Sequence, residues 1–291
     1  MIRFFSNVRD EKKFCKAIRS NNLKKVKKLL AAGYDPNVPY YDEYPLFLAF
    51  NCIDNDILET LLAHPNIDLG IVDNEGRTLL HFAAASLNYD LLYELLDKHE
   101  FDINMEPSVL SYVIGLKEYE MAENLIIAGA KADLTDLYCI NDAKIFQMAL
   151  QHQKEELSKK EIYQLMVYLE DEYADFITLL FQKYPKKVKK AINYKDGYLL
   201  HDACDKKKVD ILLGAGANSN MIRRGNPPLI SIYKKTGNYD IVKSLLANGA
   251  DPSVKGEGNL TIRDIALNNN DVGMITILDD HDRLNNETSI I

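Results

Sequence analysis

Pairs of adjacent aliphatic residues recur along this chain at intervals of 30 to 34 residues, with one longer interval of 54. Each pair falls near the end of a helix-like pattern, and the pairs are Leu29-Leu30, Leu61-Leu62, Leu95-Leu96, Leu125-Ile126, Leu179-Leu180, Leu212-Leu213, Leu245-Leu246 and Ile277-Leu278. A repeated segment of this length is too short to close a hydrophobic core of its own. The chain is therefore expected to fold only by stacking its repeats on each other.

The segment between residues 73 and 104 shows most clearly what one repeat contains. Gly76 permits a turn with positive φ, and Thr78 can cap the helix that follows it. Apolar residues at helical spacing then come in two groups, the second of which ends at Leu95 and Leu96. One repeat is therefore predicted to be a turn followed by two short helices.

Two segments carry the same start motif. Residues 78–83 read Thr-Leu-Leu-His-Phe-Ala and residues 198–203 read Tyr-Leu-Leu-His-Asp-Ala, both close to Thr-Pro-Leu-His-x-Ala. With this start motif and a period near 33 residues, the chain resembles the ankyrin-repeat family from about residue 10 to residue 282. The resemblance implies an all-α ankyrin-repeat solenoid of about eight helix-turn-helix units with short hairpin-like fingers.

The 54-residue interval interrupts this period near the middle of the chain. Three helices are predicted where two are expected, over 141–151, 159–170 and 175–184. We interpret the first of them as an inner helix. We therefore predict a helical insertion near the middle. The predicted division is 1–134, an N-terminal ankyrin block with a basic cap; 135–172, a helical insertion or degenerate repeat; 173–283, a C-terminal ankyrin block with an acidic cap; and 284–291, a flexible tail.

Composition and charge indicate where the protein is located and what kinds of partner it can bind. No apolar run approaches the roughly 18 residues of a membrane span, and the four cysteines lie in different repeats, which suits reduced thiols. We expect a cytoplasmic monomer without a membrane span or a signal peptide. The net charge is −8, but the first thirty residues carry ten Lys and Arg against two Asp and Glu. This basic N-terminal arm either binds nucleic acid or anionic lipid or is the solvated face of the first outer helix.

The sequence contains no nucleophile-elbow, phosphate-loop or zinc-protease motif. His201 and Cys204 lie close together, but in ankyrin repeats this histidine position hydrogen-bonds the backbone of a neighbouring repeat, and the cysteine takes the place of a packed alanine. The carboxylates of residues 170–172 and Asp175 lack the spacing of a calcium loop. We predict no catalytic residue, cofactor, metal site or small-molecule substrate, and keep an enzymatic 135–172 insertion as an alternative.

The resemblance implies that a protein partner binds a concave face made of finger tips and the exposed side of the inner helices. Tyrosine and arginine are the residues most often found as interface hot spots. When the family's binding positions are carried over to this sequence, the candidate partner-binding residues are Tyr40, Tyr41, Glu43, Phe50, Asn74, Glu75, Arg77, Tyr194, Lys206, Met221, Arg223, Arg224 and Lys234. The chain is predicted to be a non-enzymatic protein-protein interaction module, with nucleic acid not expected as its partner.

A standalone, divergent array rich in Lys, Asn and Ile also resembles the ankyrin-repeat effectors that intracellular bacteria deliver into host cells. This resemblance implies that the protein acts in a host cytoplasm after secretion.

Overall fold

The computed structural model describes residues 8–52, 55–98, 102–169 and 173–288. Within these residues there are nineteen α-helices, one short 3₁₀ turn and isolated bridges, and no extended strand. The predicted all-α class is therefore confirmed. The chain divides into two compact parts, which we call the first block, residues 1–131, and the second block, residues 132–291.

The first block contains four consecutive helix pairs. They are α1 (Val8–Arg19), α2 (Leu23–Ala31), α3 (Pro45–Phe50), α4 (Asp56–Leu62), α5 (Leu79–Ala85), α6 (Tyr89–Lys98), α7 (Val109–Gly115) and α8 (Tyr119–Ile127). The first helix of each pair packs against the first helix of the next, and we call these helices the inner row. The second helices form the outer row, in which α2 packs on α4.

The second block contains five helix pairs and one extra helix. They are α9 (Leu134–Cys139), α10 (Ala143–Gln151), α11 (Lys159–Tyr168), α12 (Ala174–Lys183), α13 (Pro185–Ile192), α14 (Tyr194–Asp202), α15 (Lys206–Gly214), α16 (Pro228–Thr236), α17 (Tyr239–Ala247), α18 (Ile262–Asn268) and α19 (Val272–Thr288). The outer row runs α10, α12, α15, α17, α19, and the inner row begins α9, α11, α14, α16. The α13 helix belongs to neither row and packs against α11, α12 and α14.

Two complete helix pairs, rather than one pair and an added helix, account for the 54-residue interval. The pair α9 and α10 comes first and the pair α11 and α12 follows, which favours the degenerate-repeat alternative for 135–172. The prediction that 141–151 is an inner helix is wrong, because α10 packs against the outer helix α12. In place of an aliphatic pair α10 has buried Ala149 and Leu150, so the spacing of pairs does not reveal it.

The extra helix lies instead in an interval that looks regular in the sequence. Val188, Ala191 and Ile192 of α13 are buried, whereas Lys186 and Lys190 are exposed. The α14 helix follows α13 directly, without the finger that precedes α16. Because the helix replaces a finger of similar length, the spacing of the aliphatic pairs does not change.

The predicted domain boundaries stay a prediction, but two ends can be compared with the structure. The first block ends at Lys131, three residues before the predicted boundary. Of the predicted flexible tail, residues 284–288 continue α19, and residues 289–291 lie outside the described residues. The last pair is joined by Arg263 of α18, which forms ion pairs of 2.6 and 2.8 Å with Asp279 and Asp282 of α19.

Asparagine side chains connect consecutive repeats in both blocks. Each donates from Nδ2 to a carbonyl oxygen of the next helix-terminal turn, at 2.7 to 3.2 Å, and accepts at Oδ1 from an N–H two residues further on, at 2.7 to 2.9 Å. We call these residues the asparagine clamps, and they are Asn37, Asn104, Asn193 and Asn220. The clamps form hydrogen bonds with backbone N–H and C=O groups of the turns, which have no partner within their own repeat.

Replacing Leu95 by alanine is expected to lower the free energy of unfolding by about 2–5 kcal/mol, the range for emptying a buried leucine site. Leu95 of α6 is 0% exposed, whereas Leu116 at the end of α7 is 46% exposed. Chemical denaturation measures the change, and Leu116→Ala is the control, with an expected effect below about 0.5 kcal/mol. Equal effects of the two substitutions would contradict the assigned core.

Replacing the clamp residue Asn220 by alanine removes two hydrogen bonds between repeats, so we expect a loss of about 1–2 kcal/mol. The matched control is Asn248→Ala, since Nδ2 of Asn248 donates only to Ser244 of its own helix, at 2.8 Å. Hydrogen exchange at the Asp251 N–H, which bonds Oδ1 of Asn220 at 2.8 Å, reports the clamp directly. Unchanged exchange there in Asn220→Ala would contradict a clamping role.

Candidate functional site

A tight hairpin turn presents the tyrosines of the first predicted finger. Tyr40 and Glu43 exchange backbone hydrogen bonds of 3.1 and 3.3 Å, and Tyr41 and Asp42 between them have φ of 51° and 62°. Positive φ at both central residues is the signature of a type I′ turn. The Tyr41 side chain is 81% exposed, with its ring 4.5 Å from that of Tyr40, and Glu43 forms an ion pair with Arg19. The predicted hairpin-like finger is confirmed here.

Phenylalanine rings line the inner row beside this finger. Phe50 of α3 meets Phe82 of α5 edge-on at 5.8 Å, and Phe47 stacks on Phe82 at 4.9 Å. The Arg77 guanidinium lies 5.1 Å from the centre of the Phe82 ring. The structure thus brings two predicted site residues, Phe50 and Arg77, onto one aromatic cluster of the first block.

Arg77 is bound mainly to its own finger. Its guanidinium pairs with Asp73 at 2.7 Å and with Glu75 at 2.9 Å. Burial raises the pKa of the Asp73 carboxyl, but hydrogen bonds from Arg77 and from the Glu75 N–H outweigh it and leave that pKa below its usual value. Asn74 and Glu75 are exposed at the tip. Two carboxylates already balance the arginine, so its charge is less available to a partner than the sequence suggests.

The second block carries two adjoining cavities of about 480 and 330 Å³. The larger is lined by Tyr198, His201, Asp202, Arg223, Arg224, Asn226, Ser231, Lys234 and Lys235. The smaller is lined by Tyr163, Gln164, Val167, Lys195, Tyr198 and Arg223. Tyr198 and Arg223 belong to both, so we treat the cavities as one feature and call it the second-block groove. Three predicted site residues, Arg223, Arg224 and Lys234, lie in it.

A second hairpin forms one side of this groove. Arg223 and Asn226 exchange backbone hydrogen bonds of 2.9 and 3.0 Å, and Arg224 and Gly225 have φ of 47° and 75°. The Asn226 Oδ1 also accepts from the Glu257 N–H of the next finger at 3.1 Å. Both arginines therefore project from a turn with a fixed backbone.

Cationic side chains cover the tyrosine rings of the groove. Arg223 lies 4.3 Å above the Tyr198 ring and Lys195 lies 5.4 Å above the Tyr163 ring. Next to them, the predicted site residue Tyr194 packs edge-on against Tyr163 at 5.1 Å. Such cation–π contacts hold the cationic groups in place and stabilise this arrangement by a modest free energy.

The motif histidines bind the backbone of the following finger, as predicted. His201 Nε2 donates to the Met221 carbonyl at 2.7 Å, and Nδ1 accepts from the Ser231 hydroxyl at 3.0 Å. His81 Nε2 donates in the same way to the Pro107 carbonyl at 3.0 Å. Burial lowers the pKa of both imidazoles, more than the bonds to these carbonyls raise it. The predicted site residue Met221 thus contributes its backbone to the fold.

Two residues lie elsewhere than the sequence suggests. Lys206 is on the outer helix α15 and pairs with Asp210 at 2.5 Å, so the structure does not bring it to the groove. Cys204 is exposed, and the prediction that it packs like a small alanine is wrong. The reason is that α14 ends at Asp202 and Ala203 is extended, which puts residue 204 outside the helix.

Within the described part of the chain, no group of three or more His, Cys, Asp or Glu side chains is placed to hold a metal ion. The acidic run 170–172 lies outside the described residues, and Asp175 beside it pairs with Lys207 at 2.5 Å. None of the described helices is both long enough and apolar enough to span a membrane.

The groove residues that sequence reasoning missed include its tyrosines and two of its lysines, which are Tyr163, Tyr198, Lys195 and Lys235. Tyr163 lies on α11, where the period of the repeats is lost. Tyr198 stands at the motif threonine and is expected at a helix start, but α14 begins four residues earlier at Tyr194 and places it within the helix. The segment 194–198, which reads Tyr-Lys-Asp-Gly-Tyr, places two tyrosines and a lysine close together and is the signal that could have found this surface.

Comparison with known proteins gives the same repeat type. A model described as ankyrin repeats in three copies matches residues 14–107, and a single ankyrin-repeat model matches residues 224–257. The human transient receptor potential cation channel subfamily A member 1 is 23% identical over 269 residues. That match covers 82% of this chain but 24% of the human protein, so the chain spans about a quarter of that relative's length.

Among solved structures, the ankyrin repeat domain of Bcl-3, a member of the IkappaB protein family, is 19% identical with a TM-score of 0.36. The match covers 87% of this chain and 92% of that one. An ankyrin repeat domain from Acinetobacter baumannii AYE is 16% identical with a TM-score of 0.37, over 82% of this chain and 98% of that one.

The lowered histidine pKa values predict a pH dependence of stability. An unfolded histidine titrates near 6.5, so below that pH the unfolded chain takes up protons that His81 and His201 in the fold do not. The free energy of unfolding should therefore fall as the pH goes from about 7 to 5. Urea denaturation measures it, and His81→Gln with His201→Gln should flatten the slope. His152→Gln, at an exposed histidine, is the control; an unchanged slope in the double variant would contradict the assignment.

Proposed function

Because this chain belongs to the ankyrin-repeat family, we propose that it binds a protein partner through its fingers and inner-row helices and catalyses no reaction. Repeats of this family typically serve as non-catalytic interaction scaffolds. The proposal concerns which residues of the scaffold meet the partner. It applies to each block separately.

One observation carries the proposal: large side chains stand exposed on turns with a fixed backbone. Tyr41 is 81% exposed between two backbone hydrogen bonds, and the exposed Arg224 and the half-buried Arg223 occupy the same kind of hairpin. An aromatic or guanidinium group on a rigid turn loses little conformational freedom when it is buried by a partner. These residue types are also those that dominate binding energy in interfaces.

The polar groups of the inner row support the non-enzymatic part. Both ring nitrogens of His201 form hydrogen bonds inside the fold. In the 135–172 region, which is the alternative site of an enzymatic activity, Asp136, Asp142, Ser158 and Glu161 form helix caps. These side chains have structural partners, so the geometry favours binding over catalysis.

The cellular setting is a separate part of the proposal. It places the protein in a host cytoplasm as a delivered effector, on the resemblance to standalone Lys-, Asn- and Ile-rich arrays, and as a monomer. A secretion reporter fused to the chain should reach the host cytosol, and light scattering should give the monomer mass of 33.1 kDa. A fusion retained in the producing cell, or twice that mass, would contradict these points.

Truncation of the finger tips should weaken partner binding without affecting folding. We expect Tyr41→Ala in the first block, or Arg223→Ala in the second, to reduce affinity by about 2 kcal/mol or more, the size of a hot-spot loss. The partner is captured from candidate host cytosol by the wild-type chain, and its affinity for each purified variant is then measured by calorimetry. The melting curves should stay within a few degrees of the wild type.

The control variant is Lys27→Ala with Lys28→Ala, on the exposed face of the outer helix α2. It should bind the partner normally. If instead this lysine pair abolished binding, added salt reproduced the loss, and the finger variants bound normally, the basic N-terminal arm would be the site. That result would favour the alternative of nucleic-acid or anionic-lipid binding.

A further inference from the structure

We propose that the second-block groove binds an extended, carboxylate-rich segment of the partner protein. This inference rests on the proposed function and adds the chemistry of the partner and the place where it docks.

The charged side chains that line the groove are almost all cationic, and they are Lys195, Arg223, Arg224, Lys234 and Lys235. Asp202 is the one carboxylate among the lining residues, and Lys235 pairs with it at 3.2 Å. For the other four cations, the described residues provide no carboxylate partner. His201 adds no positive charge near neutral pH, because burial lowers the pKa of its imidazole. A complementary ligand must therefore supply negative charge.

The contact between Arg223 and Tyr198 prepares the guanidinium for carboxylates. The guanidinium carbon lies 4.3 Å from the centre of the Tyr198 ring. A guanidinium held in place by a ring contact can bind a carboxylate through two of its N–H groups. The hairpin from Arg223 to Asn226 is further fixed by the bond from the Glu257 N–H, at 3.1 Å. The arginine side chain and the hairpin backbone therefore lose little conformational freedom when a carboxylate binds.

The same contacts argue against single-stranded nucleic acid as the ligand. Grooves of that kind combine basic residues with aromatic faces on which bases stack. Here each tyrosine ring at or beside the groove carries a cation on one face: Arg223 on Tyr198, Lys195 on Tyr163 and Lys159 on Tyr194. The cationic groups, and not the rings, are therefore what the surface offers to a ligand.

The extent of the groove sets the length of the segment. Its lining residues come from α11, α14, α16 and the 223–226 hairpin, and α14 packs against both α11 and α16. Packed helix axes lie about 8–10 Å apart, so the three helices span roughly 16–20 Å. An extended peptide of about five or six residues covers that distance.

The test measures binding of fluorescein-labelled hexaglutamate to the full chain by fluorescence anisotropy. Hexaglutamine, triglutamate and an oligothymidylate of six nucleotides are run beside it. We expect hexaglutamate to bind at least tenfold more tightly than each of the other three. Arg223→Gln with Arg224→Gln should raise its dissociation constant at least tenfold, and Lys195→Gln with Lys234→Gln, which leaves the hairpin unchanged, should do the same.

The matched control is Lys206→Gln with Lys207→Gln, an adjacent cationic pair on the outer helix α15, and it should not change binding. Equal affinity of the control and groove variants for hexaglutamate would overturn the proposal, as would tighter binding of the oligothymidylate. If hexaglutamate failed to bind while the captured partner still depended on Arg223, the acidic-segment proposal would fall and the proposed function would stand. Loss of both would remove the function as well.

Discussion

Hydrogen bonds that pass from one repeat to the next are the interactions on which the rest of this structure depends. A single helix pair of six to ten residues per helix, such as α3 and α4, buries too little surface to persist alone. The asparagine clamps and the motif histidines supply partners for backbone groups in the adjoining turns, at 2.7 to 3.2 Å. Since each bond joins only neighbours, it fixes the spacing of the fingers as well as the stacking of the helices. The finger surface, where we propose that a partner binds, thus depends on the same contacts that hold the fold.

The repeating part of the fold could be predicted because it depends on a pattern that stacking enforces. Leu95, Leu125, Leu212 and Leu245 are fully buried on outer helices at the expected spacing. The pattern failed at α10, where Ala149 takes the place of an aliphatic residue, because a smaller side chain still fills a site between short helices. It also failed to reveal α13, since a helix that replaces a finger of similar length leaves the spacing between the aliphatic pairs unchanged.

The candidate site was predictable where it depends on turns and less so where it depends on helix packing. The residues at the tips of fingers, Tyr41, Arg223 and Arg224, follow from the local sequence around a hairpin. Tyr163 does not, because it joins the groove only through the packing of α11 against α14. Arg77 is likewise paired with two carboxylates, whereas no carboxylate of the described residues pairs with Arg223. No spacing in the sequence distinguishes the two arginines. Position within a repeat therefore predicts which side chains are presented, and tertiary contacts decide which remain available.

The conformation of the finger tips has a consequence for how such a protein can change. Tyr41 and Arg224 have φ near 50°, where a side chain with a Cβ atom is strained by about 1 kcal/mol or more. Glycine at either position would relieve this strain, so selection for a stable fold alone would favour losing these two exposed side chains. A lineage released from its partner should drift toward glycine or asparagine at these positions first. Large side chains kept at strained backbone positions are therefore what the proposed binding of a partner at these tips would lead one to expect.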